Sequence, residues 1–286
     1  MQKYLIYLIT IVSLSIDCAL AESKGPNFPR RIVSMSLASD EILLELLKNC
    51  GGTNRIAALS ILVDDSTSSN SVNEARSVSG RVHSEPESIF RQNPDLVIAA
   101  TFNRPEVLNL LRNKKINLLV LDHFSSAIDI ANHILEIGER TNCQDQAKKM
   151  HLSFMSKLEN IPKVQDSNTK RPVVINYSPD MTIMAKDTLF DDLVSRAGAI
   201  NAASQKGLKN WPKIDGETLI AMQPDKIIVL GEKNSMEQQI LRHAIWKKLD
   251  AVKKKSFIYV SPRTSLSTSH YFANAVEELR LKLHEK

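Results

Sequence analysis

A phrase that the chain uses twice constrains its fold more than any other feature. In each copy a Glu stands seven residues before a Pro-Asp pair, and an apolar run follows: Glu87 precedes Pro94-Asp95, and Glu217 precedes Pro224-Asp225. This order is typical of a short helix, a turn and then a buried strand. Two copies in one chain predict two lobes of one design, with a cleft between them.

Strand-like and helix-like segments alternate on both sides of a central segment. This alternation predicts an α/β fold of two Rossmann-like lobes, each with a mostly parallel sheet. We expect a first lobe at 31–124 and a second at 171–286. In the central segment, 125–160, apolar residues recur at near-helical intervals. This pattern predicts either a single helix on the order of 45–50 Å long or two helices broken near Thr141-Asn142.

The N-terminus has the pattern of a secretory signal peptide. Lys3 precedes an almost unbroken apolar stretch, 4–16, and Ala19-Leu20-Ala21 forms a small-x-small cleavage site. We expect residues 1–21 to be removed on export to the periplasm. The alternatives are a membrane anchor, for which the stretch is short, and lipidation at Cys18, which the preceding Asp17 disfavours.

Export would leave two cysteines, Cys50 and Cys143, in an oxidising compartment. There they could form a disulfide or remain two buried thiols. Because a disulfide requires Cα atoms within about 7 Å, the sequence leaves both outcomes open.

Composition excludes several classes of function. Of the 286 residues, 43% are hydrophobic and 24% charged, which is typical of a folded globular protein. The formal net charge is +5, but Lys and Arg are scattered, and the cluster 253–255 suits a solvated turn better than a nucleic-acid site. The sequence contains no Gly-x-Ser-x-Gly, no Gly-rich phosphate loop and no Cys-x-x-Cys. We therefore expect neither an enzyme nor a nucleic-acid partner.

Side chains that follow the predicted strands are candidates for ligand contact, because ligands of parallel α/β sheets lie beyond the carboxyl ends of the strands. The set mixes aromatic, hydroxyl and cationic groups, which suit a large, flat, partly apolar ligand. Such residues also occur in ordinary polar loops. The candidates are Ser36, Leu37, Phe102, Asn103, Arg104, His123, Tyr177, Trp211, Arg263 and His270.

No histidine lies in a short metal motif such as His-Glu-x-x-His. We therefore expect no resident metal site. His83, His123 and His270 fall at positions that could face a cleft, which leaves open a role as iron ligand to a bound haem.

Glu87 and Glu217 each fall in the first turn of a predicted helix, where the helix dipole favours a carboxylate. Capping would explain each residue separately, but not their matched positions in both halves. Two carboxylates at equivalent places on two lobes could form a two-point contact with a partner that carries two basic sites.

The chain resembles the periplasmic substrate-binding proteins of ABC importers that carry vitamin B12, ferric siderophores and haem. The likeness covers roughly residues 30–284. Its strongest parts are the opening segment 31–44, the segment 55–60, both Glu…Pro-Asp phrases and the run from Trp211 to Glu217.

This resemblance implies two α/β lobes joined by one long rigid helix, with the ligand between them and only modest closure. By position, Glu87 and Glu217 match paired glutamates that dock onto arginines of the permease dimer, which works with an ATPase. Trp211 matches an aromatic ligand contact in the B12-binding member. The implied protein is a monomer without a covalent cofactor.

The expected cargo is cobalamin or a ferric siderophore. Three alternatives stay open: haem capture through a His or Tyr iron ligand, a secreted enzyme that uses the cleft, and a scaffold subunit that binds no small molecule.

Overall fold

The computed structural model describes residues 28–162, 170–265 and 267–284, apart from the side chain of Asn234. The expected signal peptide at 1–21, with Cys18, lies outside these ranges. Among the helices in the described ranges, none is both long and apolar enough to span a bilayer.

The first lobe is an α/β unit around a five-stranded sheet. Its strands follow the order β3-β2-β1-β4-β5, and all neighbouring strands are parallel. This is a doubly wound order, in which the strand sequence reverses beside β1. The elements are β1 (Ile32–Ser34), α1 (Leu37–Lys48), β2 (Ile56–Ser60), β3 (Arg81–Val82), α2 (Pro86–Phe90), β4 (Leu96–Ala100), α3 (Pro105–Asn113) and β5 (Leu118–Leu121).

The central segment contains α4 (Ala127–Arg140) and α5 (Gln144–Asn160). The second lobe has a four-stranded parallel sheet in the order β7-β6-β8-β9. Its elements are β6 (Val173–Asn176), α6 (Leu189–Arg196), β7 (Ile200–Asn201), α7 (Ala202–Gln205), α8 (Gly216–Met222), β8 (Lys226–Leu230), α9 (Lys233–Arg242), α10 (Asp250–Lys253), β9 (Phe257–Val260), α11 (Pro262–Ser265) and α12 (Phe272–His284). Two parallel sheets flanked by helices confirm the predicted fold class.

The repeated phrase occupies equivalent places in the two sheets. The first copy forms α2 and β4, and β4 lies between β1 and β5; the second forms α8 and β8, and β8 lies between β6 and β9. The Asp of each copy braces the first strand of its own lobe. Asp95 accepts hydrogen bonds from the amides of Arg30 (2.7 Å) and Arg31 (2.9 Å), and Asp225 accepts one from the amide of Val173 (2.8 Å). The Asp of the phrase therefore has a structural role, which is to hold the start of the first strand of its lobe.

Of the two alternatives for 125–160, the structure confirms the second: two helices that are broken at Thr141-Asn142. The single long rigid helix, which the resemblance also implied, is wrong. The chain turns back after Thr141, and α5 packs antiparallel along α4, with His151 Nδ1 3.2 Å from the carbonyl oxygen of Ala131. Asn142 takes a left-handed conformation with φ 57°, which an Asn tolerates and which ends the helix. A Cβ at Gly138 would lie 2.1 Å from Cβ of Ala147, so glycine permits the close helix crossing.

A disulfide joins the loop after α1 to the turn between α4 and α5. Cys50 and Cys143 are bonded, with their Cα atoms 6.0 Å apart, rather than present as free thiols. Arg55 supports the same corner: its guanidinium donates to the carbonyl oxygens of Thr141 and of Cys50 (3.3 Å). The α4–α5 turn is thereby fixed to the first lobe.

We expect the double variant Cys50→Ala/Cys143→Ala to lose about 2–5 kcal/mol of unfolding free energy, because the bond closes a long loop in the unfolded chain. The bridged residues are 93 positions apart. Urea denaturation with and without a reductant measures this. Reductant should bring the wild type to the variant's midpoint and leave the variant unchanged. Equal midpoints for the oxidised wild type and the variant would contradict the expectation.

One hydrophobic core runs through both lobes. It combines the inner face of α1, the two central helices and the inner faces of α6 and α12 in a single cluster of buried residues. Separate cores cover the outer face of each sheet. The amide of Ala127, at the start of α4, adds a polar tie by donating to Asp192 of α6 at 2.8 Å. The two sheets are thus held together by extensive buried packing.

Asp40 is a fully buried carboxyl group that ties α1 to β2. It accepts from the backbone amide of Ser60 at 3.1 Å and from the Ser60 hydroxyl. Burial raises the pKa of Asp40 to about 7, against smaller lowering contributions from the hydroxyls of Ser34 and Ser60.

The raised pKa of Asp40 predicts a pH-dependent stability. Between the ordinary carboxyl range and pH 7 the folded state holds this proton and the unfolded state does not, so the unfolding free energy falls as pH rises. The fall is at most about 1.4 kcal/mol per pH unit. Asn cannot ionise, so we expect the unfolding free energy of Asp40→Asn, relative to that of the wild type, to rise by about 2 kcal/mol or more from pH 5 to pH 8. Urea denaturation across this range tests it, with exposed Asp145→Asn as control; parallel curves for wild type and Asp40→Asn would refute it.

Candidate functional site

A cavity of about 570 Å³ lies between the two lobes, beyond the carboxyl ends of their strands. This volume is in the range typical of small-molecule sites. The first lobe contributes residues that follow β4 and β5, and the second contributes the segment before and within α6, Trp211 and residues near α11. The lining consists of Phe102, His123, Phe124, Ser125, Met184, Asp187, Thr188, Leu189, Phe190, Trp211, Ser265 and Thr268.

Two large aromatic side chains are exposed in this cleft from opposite lobes. Phe102 is 62% exposed and Trp211 is 57% exposed. Phe102 packs against Phe124, with ring centroids 5.0 Å apart, and Phe124 packs against His133 at 4.6 Å. Exposed aromatic groups that line one concave, mostly apolar surface indicate a binding site, because the free protein gains nothing from leaving them in water.

His123 and Asp187 line the cleft in unusual backbone conformations. His123 is the second residue after β5 and has φ 52°. Asp187, in the second lobe, has φ 68°. Non-glycine residues with positive φ are uncommon and cluster at ligand sites. The imidazole of His123 is 78% exposed and 3.6 Å from the Asp122 carboxylate. An imidazole is therefore available to a bound group.

The cleft lining is poor in cationic groups. Among the described residues that line it there is no Lys or Arg. The Asp187 carboxylate lies 3.9 Å from Nζ of Lys209, which remains well exposed. The surface favours a flat, largely apolar ligand over a strongly anionic one.

A second cavity of about 300 Å³ adjoins Phe102 within the first lobe and is lined partly by His83, Asn103 and Arg104. Asn103 has a local structural role, since it accepts from the amide of Ala100 (2.8 Å) and donates to the carbonyl oxygen of Met35 (3.1 Å). The Arg104 guanidinium is exposed, 3.9 Å from Glu106. The structure thus places Asn103 and Arg104 beside the cleft rather than in it.

Three other candidates from the sequence do not line the cleft. Ser36 is buried as the N-cap of α1, and its hydroxyl accepts from the amide of Ser39 at 3.3 Å. Leu37 packs partly buried against the core. Tyr177 is 5% exposed and packs against Trp246, with centroids 5.1 Å apart; burial raises the pKa of its hydroxyl.

The remaining two candidates, Arg263 and His270, also lie outside the cleft lining. The Arg263 side chain is exposed, and its carbonyl oxygen accepts from Asn70 Nδ2 at 3.0 Å. His270 lines a different cavity, between α5 and the start of α12, and its ring lies 4.1 Å from that of Tyr271. Burial, with a smaller effect of Lys157, lowers the pKa of His270 to about 4, so this imidazole is neutral at pH 7.

Sequence reasoning missed the contribution of the second lobe's loops. The segment 184–190 and residues Ser265 and Thr268 supply half or more of the cleft wall. One signal in the sequence was Thr188, which directly precedes the helix that begins at Leu189, because Thr is a common N-cap residue. In the structure its hydroxyl accepts from the amide of Asp191 at 3.3 Å and caps α6.

Glu87 and Glu217 lie in the first turns of α2 and α8, and both are exposed. Each helix begins near the carboxyl ends of the strands of its lobe, because it runs back to feed the following parallel strand. The two carboxylates are therefore free to meet a partner.

The sequence of this chain matches the family described as periplasmic binding protein over residues 32–264. This match covers most of the chain. The chain belongs to the periplasmic binding protein family. The resemblance stated from the sequence is confirmed. Among curated proteins, none matches the chain by sequence.

Solved structures of periplasmic binding proteins share the fold. The periplasmic heme-binding protein RhuT from Roseiflexus sp. RS-1 in apo form has a TM-score of 0.75 and 19% identity, covering 89% of this chain and 98% of that one. The vitamin B12 binding protein BtuF of Vibrio cholerae has a TM-score of 0.68 and 18% identity, covering 90% and 97%. An iron-binding (periplasmic solute-binding) protein, described as possible, from Staphylococcus epidermidis ATCC 12228 has a TM-score of 0.73 and 21% identity, covering 90% and 99%. At these identities the likeness establishes the fold.

Proposed function

We propose that this protein is the solute-binding component of an ABC importer, and that it captures a metal chelate in the cleft and delivers it to a membrane permease. One observation carries the proposal: Phe102 and Trp211 are exposed on opposite lobes and line the same mostly apolar cavity. Two such rings can enclose a flat ligand and gain free energy from the apolar area that both bury. No bond is made or broken in this function.

The favoured ligand is a cobalt corrinoid such as cobalamin. Its flat ring suits the aromatic walls, and its neutral amide side chains suit the hydroxyls of Thr188, Ser265 and Thr268. An anionic ferric siderophore is less well matched, because no Lys or Arg occurs among the described lining residues. Similar folds include a vitamin B12 binding protein.

Haem is the second candidate, and His123 is the observation that favours it. Its exposed imidazole lines the cleft beside the rings of Phe102 and Phe124, and an imidazole is a common iron ligand. Solved heme-binding proteins share the fold as well. Tyr177 is a poor iron ligand here, because its side chain is buried against Trp246.

Spectral titration with cyanocobalamin, hemin and a ferric hydroxamate tests the proposal. We expect saturable binding of cyanocobalamin at one site, and about 2.7 kcal/mol of added stability at 100 times the dissociation constant. A Soret shift with hemin that His123→Ala removes would select haem instead. Failure of all three compounds to bind or to stabilise the protein would overturn the proposal of a chelate carrier.

Export to the periplasm, docking onto a permease dimer through Glu87 and Glu217, and a monomeric state belong to the same proposal. The support is the family match and the exposure of both carboxylates at equivalent positions of two similar lobes.

A further inference from the structure

We propose that Glu41, a residue of the first lobe, positions the part of the second lobe that forms one wall of the cleft, and thereby sets how long a ligand stays bound. We call residues 265 and 267–269 the cleft segment. This inference rests on the proposed function only where its test measures the dissociation of a ligand.

The Glu41 carboxylate connects the two lobes inside the protein. The residue is 1% exposed and lies on α1. Its Oε2 accepts from the hydroxyl of Ser269 at 2.5 Å and, at the limit of hydrogen bonding, from that of Ser267 at 3.5 Å. Its Oε1 accepts from the backbone amide of Asn70 at 2.7 Å and from Asn70 Nδ2 at 3.2 Å. One carboxylate thus holds a loop of its own lobe and a segment of the other.

The cleft segment has two faces that serve different groups. Ser265 and Thr268 line the cavity, whereas Ser267 and Ser269 bond to Glu41. The hydroxyls of Ser267 and Ser269 are also 3.1 Å apart, so the two serines and Glu41 form one hydrogen-bonded network. A displacement at Glu41 would therefore move the residues that touch the ligand.

Two further contacts close the same junction. Asn70 Nδ2 donates to the carbonyl oxygen of Arg263 at 3.0 Å, and the Ser71 hydroxyl donates to Tyr271 Oη at 3.4 Å. Two consecutive loop residues of the first lobe are therefore bonded to the second lobe. The carboxylate lies at the centre of this junction.

The burial of the Glu41 carboxylate is unfavourable for the stability of the folded protein. Burial raises the pKa of Glu41, and hydrogen bonds from Ser269 and Asn70 offset only part of that effect. Among the ion pairs of the described residues, none includes Glu41. A buried carboxylate without a cation is unfavourable for folding alone. Fixing the geometry of the cleft wall gives a reason for its presence.

A double-mutant cycle tests the inference with the variants Glu41→Gln, Ser269→Ala and both together. The first readout is hydrogen exchange in the segment 267–271 without ligand. The second is the dissociation rate of cyanocobalamin or hemin, whichever the wild type binds. Glu136→Gln, an exposed carboxylate of α4 without a bond to the cleft segment among the described contacts, is the control.

We expect each single variant to speed both exchange in 267–271 and ligand dissociation about tenfold, because each removes a charge-assisted hydrogen bond. The double variant should do no more than either alone, and Glu136→Gln should behave as the wild type. Unchanged exchange in Glu41→Gln and Ser269→Ala overturns the inference. Faster exchange with unchanged ligand dissociation overturns the link to the cleft. If the wild type binds neither compound, the proposed function fails while the exchange data still decide the role of Glu41.

Discussion

Replacing Glu87 and Glu217 together by Arg is expected to abolish import of the ligand and to leave its affinity for the isolated protein unchanged. Both carboxylates are exposed in the first turns of equivalent helices, and neither is among the residues that line the cleft. A like-charge contact at a protein interface costs several kcal/mol, and two such contacts would prevent docking onto a basic permease surface. Uptake by proteoliposomes and titration of the purified variant measure the two effects separately.

A matched control reverses two exposed carboxylates elsewhere, Glu136 of α4 and Glu159 of α5. This variant has the same change in net charge, and we expect it to support normal uptake. Each single reversal at Glu87 or Glu217 should give an intermediate rate. Uptake that persists in the double Arg variant would show that the permease meets another surface.

The second large effect is expected at Trp211. Trp211→Ala should weaken ligand binding by roughly 30-fold or more, since truncating a central aromatic contact commonly costs about 2 kcal/mol or more. The side chain is more than half exposed in the free protein, so its removal should leave the unfolding free energy almost unchanged. Spectral titration and urea denaturation of the same samples separate the two quantities.

Leu152→Ala is the control for this experiment. Leu152 is 66% exposed on α5 and does not line the cleft. We expect Phe102→Ala to weaken binding in the same direction as Trp211→Ala. Equal affinity in the wild type and Trp211→Ala would show that Trp211 is not a ligand contact.

The α/β architecture could be predicted because its signals are local. The strands beginning at Ile32, Leu96 and Lys226 are short apolar runs, and the helices before the last two have recognisable starts. The repeated phrase also gave the right relation between the lobes, because each copy forms the same helix and strand of its sheet.

For the central segment the sequence indicated the position of a possible break, near Thr141-Asn142, but could not decide between one helix and two. Its apolar spacing suits a helix throughout, and the break depends on the left-handed conformation of Asn142 and on a disulfide partner 93 residues away. A similar break ends α9 at His243. There, the ring accepts from the amide of Ile245 at 3.2 Å while Trp246, fully buried, donates to the carbonyl oxygen of Ser178. Contacts between distant parts of the chain decided both turns.

The candidate site was predicted in outline and less well in detail. Phe102, His123 and Trp211 do line the cleft. Tyr177 does not, because strand alternation places it on the same face as Ile175, against the outer core of the second lobe. A strand buried on both faces has no polar side to indicate which residues point outward.

The Asp and the Glu of the repeated phrase have different roles, and mutations at the two positions should therefore have different effects in the cell. Asp95 and Asp225 secure the first strand of each lobe, whereas Glu87 and Glu217 make no comparable internal bond among the described contacts. Loss of either Asp should lower the cellular abundance of the protein through quality control. If the two Glu residues dock onto a permease as proposed, loss of either should leave abundance normal and slow only ligand uptake. A screen that records abundance and uptake would then sort the four acids into two groups.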